Sequence, residues 1–437
     1  MSMLTVVVSA ISLSTVLSAE NNWYFDNWCN NEGKSSLEYL DDSKCVKAFP
    51  SSFDRNSWSC PITYDEDNTV GFDLDRALSH ANIDIDSLGN MVTNGAHVCS
   101  IITRRVGTGP EMKLYHKYYC AGDSSRDDAT ETWSSSKIFA MANAAGHLRT
   151  EETPCTAAAD KIGLDGSTVG KHDVTPLGDL ATVVCSYDTT AGYSSNSLSS
   201  YFHDIGFRDR IHSLVAKNGW LLGNNPQPAY TPQPQSLGGN YGEATPSDLG
   251  FEFTAAAGDP QCGADKDPWP TMYDNSISAL SAAELTRRIV QFREIPEDTR
   301  FPGMLWEDAQ AEMYGAETSL LFPGLQWGGM TADTAIFLQS ALNMTRVEQE
   351  SQGQFRIFSK LGAGWSSSRE KGEIVSNAYA CLPVLDSNGQ PVPNQGYEFT
   401  ISVKGSISVD PSLVEVEKQV YEAVQQTVGA ILGNELH

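Results

Sequence analysis

The sequence predicts a mixed α/β (α+β) protein whose antiparallel sheet is assembled from two separated stretches of chain, with helices on its faces and a helical domain inserted between the two stretches. Three observations carry this. Strand-like runs occur near residue 100 and again after 350, helical runs fill the chain between them, and an amphipathic helix closes the sequence.

The early pair comes first. His97 to Thr103 and Met112 to Tyr119 are β-rich runs separated by Gly107-Thr108-Gly109-Pro110, which reads as a hairpin. Phe72 to Leu78, just before it, has a helical pattern. Helices are expected from about Ser134 to Leu148, over Leu198 to Lys217, and over Ser281 to Val290, the last with a serine N-cap. The Pro-, Gly- and Gln-rich stretch 223–272 is expected as a long surface excursion. Strands return at Gln354 to Lys360, Glu373 to Leu382 and Tyr397 to Val403, with an Asp386-Ser387-Asn388-Gly389 turn between the last two. From Pro411 to Leu432, Leu413, Val416, Val420, Ala423, Val424, Val428 and Ile431 recur every three or four residues, as one buried helix face requires. The expected organisation is a sheet domain from 72–133 and 350–437, a serine helix and helical domain over 134–349, and an irregular, cysteine-containing segment over 20–71.

Composition narrows the function classes. With 29 Lys and Arg against 55 Asp and Glu, the 437-residue chain carries a formal charge of −26. A phosphate backbone would be repelled, so no nucleic-acid partner is expected. A mean hydropathy of −0.30 leaves no room for a bundle of membrane helices. Residues 1–19 are apolar and end in small residues before Glu20, which reads as a secretory signal cleaved after Ala19. The mature chain is expected to be secreted or periplasmic, without a membrane span. Nine cysteines, at 29, 45, 60, 99, 120, 155, 185, 262 and 381, form no Cys-x-x-Cys pair. Disulfides in an oxidising compartment are expected, with at least one thiol left over and with Cys99 and Cys120 on opposite arms of the hairpin. The histidines at 97, 116, 147, 172, 203 and 212 are dispersed, Asp65-Glu66-Asp67 and the Asp73/Asp75 pair read as solvated acidic faces, and neither a cofactor nor a metal is expected. One Asn-x-Thr sequon stands at Asn343.

Chemistry enters at Trp133-Ser134-Ser135-Ser136-Lys137, where a serine and a lysine three apart share one face of an apolar helix. A lysine kept neutral by burial can take the serine proton and make the oxygen a nucleophile. Ser368 and Lys371 repeat the spacing, so the pattern does not decide by itself. Tyr193-Ser194-Ser195-Asn196 holds the one Ser-x-Asn of the chain, and Lys360-Leu361-Gly362-Ala363-Gly364 ends a strand-like run.

Taken in order, these three elements resemble the serine β-lactamase and penicillin-binding-protein (DD-peptidase, transpeptidase-like) superfamily, whose motifs run Ser-x-x-Lys, Ser-x-Asn or Tyr-x-Asn, then Lys-Thr-Gly. The resemblance covers about residues 72–432 and implies a β-lactamase/transpeptidase-like fold. It implies an acyl-enzyme hydrolase acting on a small-molecule or peptide amide or ester. Ser134 would be the nucleophile, Lys137 its base, Ser194 a proton relay, Asn196, Lys360 and Gly362 the substrate-binding residues, and the Ser134 and Ala363 amides the oxyanion hole. Leu361 stands where the family usually places Thr or Ser, and no Glu-x-x-x-Asn is seen between the second and third motifs. A serine-dependent glutaminase and a non-catalytic binding or sensor domain of the same fold are the alternative readings.

Overall fold

A computed structural model describes residues 55, 58–75, 85–148, 160–161, 169–170, 176–188, 191–206, 208–216, 235–239, 241, 275–325, 327–333, 335–433 and 436. The expected signal sequence, most of the 20–71 segment and most of the 223–272 excursion lie outside these residues, as do Cys29, Cys45, Cys155 and Cys262.

The strands are β1 (Asp73–Leu74), β2 (Ile85–Ser87), β3 (His97–Val106), β4 (Lys113–Cys120), β5 (Thr130–Glu131), β6 (Asp160–Lys161), β7 (Val169–Gly170), β8 (Ser276–Ile277), β9 (Arg356–Ser366), β10 (Lys371–Leu382) and β11 (Tyr397–Ser408). Seven form one sheet in the order β1-β4-β3-β11-β10-β9, with β2 added in parallel to β4 and every other pairing antiparallel. The helices are α1 (Asp123–Asp127), α2 (Lys137–Leu148), α3 (Leu177–Ser186), α4 (Ser195–Ile205), α5 (Arg208–Ala216), α6 (Ala279–Val290), α7 (Trp306–Tyr314), α8 (Ile336–Ser340), α9 (Met344–Ser351) and α10 (Val414–Leu432). The central strands β3 and β11 thus pair across about 300 residues of chain, and most of the helices lie between them in sequence.

Alternation along the strands supplies two apolar faces. Phe399, Ile401 and Val403 of β11 and Ile374, Ala378 and Ala380 of β10 pack against the stripe Val416, Val420, Val424, Val428 and Ile431 of α10. The stripe is the expected one, but the helix begins at Val414, after a turn in which the Asp410 carboxylate accepts from the Glu415 and Val416 amides at 2.9 and 3.0 Å. On the other face, Tyr379 and Cys381 meet α6, and α6 is buried at every position. Its charges survive burial because they are paired. Glu284 receives Arg287 at 2.7 Å and Arg288 at 2.8 Å, and the two cations hold its pKa down at about 2 although burial alone would raise it.

Several expectations are corrected. Asp73–Leu74 pair with β4 as a short strand instead of opening a helix, because the β4 edge at Tyr115 and His116 offers backbone partners that outweigh local propensity. Asp75 is not on a solvated face: its carboxylate lies 3.4 Å from Arg287 and 3.5 Å from His116, and these charges hold its pKa far below the usual range against the effect of burial. The helix expected over 198–217 is two, α4 and α5, broken at Gly206, where a Cβ would meet the Asn143 amide at 2.6 Å. The cap of α6 is Ser278, which accepts from the Ser281 amide. The strand expected to end at Lys360 runs on to Ser366.

Cys99 and Cys120 stand opposite each other in the β3/β4 register and are bridged, as the hairpin suggests. A second bridge, Cys60–Cys381, ties the N-terminal segment to β10 across 321 residues of sequence. Cys185 is buried and free.

Candidate active site

The triple-serine turn forms where β5 hands over to α2. The Thr132 amide and hydroxyl both donate to the Asn275 carbonyl, at 2.8 and 2.7 Å, which fixes the chain beside β8. Trp133 then takes a left-handed conformation with φ 49° and starts a 3₁₀ turn, Trp133–Ser136, that runs into α2. A bulky residue there is strained, and its surroundings hold it. The indole N–H donates to Glu373 at 3.0 Å, and the ring lies so flat on Gly364 that a Cβ there would meet it at 2.4 Å.

Three consecutive serines follow, and the structure separates them. Ser135 donates to the Thr132 carbonyl at 2.6 Å and Ser136 to the Trp133 carbonyl at 3.0 Å, both buried. Ser134 is half-buried at the cleft and interacts through its side chain with the Tyr187 hydroxyl.

Lys137, one helical turn on, has no exposed surface. Its Nζ donates to Ser195 Oγ at 2.9 Å and to Asn196 Oδ1 at 2.5 Å, and it lies 5.2 Å from the centre of the Tyr241 ring and 5.8 Å from that of Tyr187. Burial, and after it the neighbouring Lys360 charge, push its pKa well below that of an ordinary lysine.

The third wall is β9, the edge strand. Lys360 is buried, its Nζ donating to the Tyr187 hydroxyl and, at 2.7 Å, to the Leu361 carbonyl. Burial lowers its pKa to about 8 against the opposing pull of Asp333. Gly362 is where strand and triple-serine turn touch: a Cβ would come within 2.6 Å of the Ser135 nitrogen and the Thr132 oxygen and within 2.7 Å of the Ser134 nitrogen. Leu361 donates its amide to Asp333 at 2.8 Å, away from β10, so by strand alternation the amide of Ala363 points off the same edge. The Ser134 nitrogen therefore lies beside the β9 edge at Gly362 and Ala363.

Of the residues singled out in the sequence, Ser134, Lys137, Asn196, Lys360, Gly362 and Ala363 converge here. Ser194 does not reach Lys137 in this arrangement; its hydroxyl caps α4 by accepting from the Ser197 amide at 3.3 Å, and the next residue, Ser195, makes the contact. Tyr187 was not anticipated. It leaves the end of α3 with φ 59°, presents 38% of its surface to solvent, and buries its hydroxyl between Lys360 and the Leu361 carbonyl, to which it donates. Close packing raises its pKa well above the ordinary phenol, so it keeps its proton at neutral pH. A signal existed in the family's Tyr-x-Asn variant, but Tyr187-Asp188-Thr189 lacks the asparagine, and Asn196 supplies that amide from the first turn of α4. No group of His, Cys, Asp and Glu side chains among the described residues is arranged to hold a metal ion.

No protein-family model and no curated protein matches the chain. Solved structures do. A β-lactamase from Burkholderia vietnamiensis covers 79% of this chain and 93% of its own length at 11% identity and a TM-score of 0.36. A class A β-lactamase from Mycobacterium abscessus covers 78% and 96% at 10% identity and 0.36. The TP domain of penicillin-binding protein 3 from Burkholderia pseudomallei covers 78% and 88% at 13% identity and 0.30.

Proposed function

We propose that the protein is an active-site-serine hydrolase that forms an acyl-enzyme on Ser134 with an amide or ester substrate, in a secreted or periplasmic setting. The observation that carries the reading is the placement of Lys137, buried one helical turn from Ser134 with its amine held by Ser195 and Asn196. A neutral amine has two hydrogens and one lone pair, and both hydrogens are engaged by Ser195 and Asn196, so the lone pair is what remains to take the Ser134 proton. Ser134 Oγ then bonds to the substrate carbonyl carbon. The oxyanion that forms is received by the Ser134 and Ala363 amides, and collapse expels the leaving group. Tyr187, turning its hydroxyl from the Leu361 carbonyl, gives the leaving group its proton and takes one in return from Lys360, which donates to it, a role the motif order gave to Ser194.

Lys360 and Asn196 are the groups for substrate polar atoms. Leu361 has no hydroxyl for a substrate carboxylate, and one lost charge-assisted hydrogen bond costs about 1.5–3 kcal/mol. Esters and amides without a carboxylate at that position are therefore the better substrates. The two disulfides among the described residues support the oxidising compartment; no helix among those residues is long and apolar enough to cross a membrane.

The test is intact-protein mass spectrometry after incubation with a fluorophosphonate and with a penicillin, followed by peptide mapping. The expected adduct is on Ser134, faster with the fluorophosphonate, and Lys137→Arg, which keeps a cation that cannot deprotonate, slows it by orders of magnitude. An adduct on Ser368 would overturn the register. No adduct from either reagent would make the cleft a binding site, and glutamine hydrolysis would point to a glutaminase.

A further inference from the structure

At the opposite end of the sheet from Ser134, a cavity of about 450 Å³ opens between α9, the β10–β11 connection and the N-terminal segment. Lys360 pairs with Asn377 on β10, and the cavity begins at Leu382, five residues further on and so roughly 16 Å along the strand. It is separate from the catalytic cleft.

Its walls are fixed by hydrogen bonds. The Tyr64 hydroxyl donates to the Gly396 carbonyl at 2.7 Å, Asn394 accepts from the Asp65 amide at 2.8 Å and from the Asn68 side chain at 2.7 Å, and the Leu385 amide donates to the Glu350 carbonyl at 2.9 Å. A cavity with tied walls does not have to be ordered when a ligand enters.

The lining has two parts. Leu342, Leu382 and Leu432 give it an apolar side, and Arg104 and Arg346 supply two cations against one carboxylate, Glu350. Glu350 is bonded to Arg346 at 2.7 Å. Arg104 has no carboxylate partner among the described residues: its guanidinium lies over Phe72, 4.1 Å from the ring centre, and over Tyr64 at 5.2 Å, and donates to the Asn68 carbonyl. A guanidinium has five N–H donors, and one placed over two rings and bonded to a single carbonyl oxygen has donors left for an acceptor, which a carboxylate matches in pairs. In a chain of net charge −26, a locally cationic cavity beside an apolar wall selects by sign as well as by shape.

We propose that this cavity is a second binding site, taking a small monocarboxylate whose aliphatic tail lies on the leucine wall while its head meets Arg104.

The test uses the full chain, with octanoate as probe and octylamine as its charge-reversed control, followed by titration calorimetry. The expected result is one octanoate bound per chain, no octylamine, and at least tenfold weaker octanoate binding in Arg104→Gln. Because that substitution also removes ring contacts, Val347→Trp, which narrows the cavity from α9 without touching Arg104, serves as the second variant and should abolish binding while the melting curve stays cooperative. Fluorophosphonate labelling of Ser134 should leave octanoate affinity unchanged. The inference is overturned if octanoate does not bind, if octylamine binds equally well, or if labelling Ser134 displaces octanoate, which would put the probe in the catalytic cleft.

Discussion

Replacing Gly362 by alanine tests the contact on which the cleft is built. The added Cβ would lie 2.6–2.7 Å from three backbone atoms of the triple-serine turn, where ordinary contact starts at 3.4 Å, so β9 and the turn must part by about 0.8 Å. No flexible side chain is there to give way. Overpacking of this kind costs about 1–3 kcal/mol of stability. The same movement pulls the Ala363 amide away from the Ser134 amide, and a misplacement near 1 Å or the loss of one oxyanion donor each lowers a rate by about 100-fold. Gly362→Ala should therefore label Ser134 about 100-fold more slowly than the parent, measured by intact-mass kinetics with a fluorophosphonate, with a lower but still cooperative melting transition. Gly429→Ala is the control. That glycine is exposed within α10 with nothing within 4 Å of its added carbon, so the change should stabilise by about 0.5–1 kcal/mol and leave labelling alone. A Gly362→Ala protein that labels at the parent rate would show that the two amides do not act together and would refute the oxyanion assignment.

Tyr187→Phe keeps the ring beside Lys137 but removes the hydroxyl bonded to Lys360; we expect turnover of an amide with a poor leaving group to fall at least tenfold while an activated aryl ester, which needs no protonation on departure, is much less affected. Lys360→Met should raise the melting temperature at pH 7, because the folded protein there bears the cost of a buried ammonium; the folded pKa near 8 lies below the unfolded value near 10.4, so between them the unfolded chain binds more protons, the parent gains stability as pH rises, and the advantage of the variant should fade towards pH 10 in melts across that range. Mutating Cys60 and Cys381 together to serine should cost about 3–5 kcal/mol in denaturant titrations, since that bridge closes the longer of the two loops, whereas an unchanged midpoint would mean that the N-terminal segment is held by packing alone.

The sequence by itself determined the layout and the chemical candidates. β-rich runs bounded by turn residues placed the long strands, the three- and four-residue recurrence of apolar residues placed α10, and helical spacing put Ser134 and Lys137 on one face, because these patterns are local. Tertiary structure decided the rest. Whether Asp75, Glu284 and Arg287 are solvated or buried depends on what packs against α6, and only the fold brings their opposite charges together. That Ser195 rather than Ser194 meets Lys137 is settled by which of two adjacent hydroxyls caps α4, a choice the triplet pattern does not encode. Tyr187 stood beyond sequence reasoning because its role arises from a left-handed turn at the end of α3 that points it across the cleft at Lys360, 173 residues away. Gly362 could be named from a motif, but its necessity comes from a backbone-to-backbone approach between two distant segments, and that distance exists only in the folded chain.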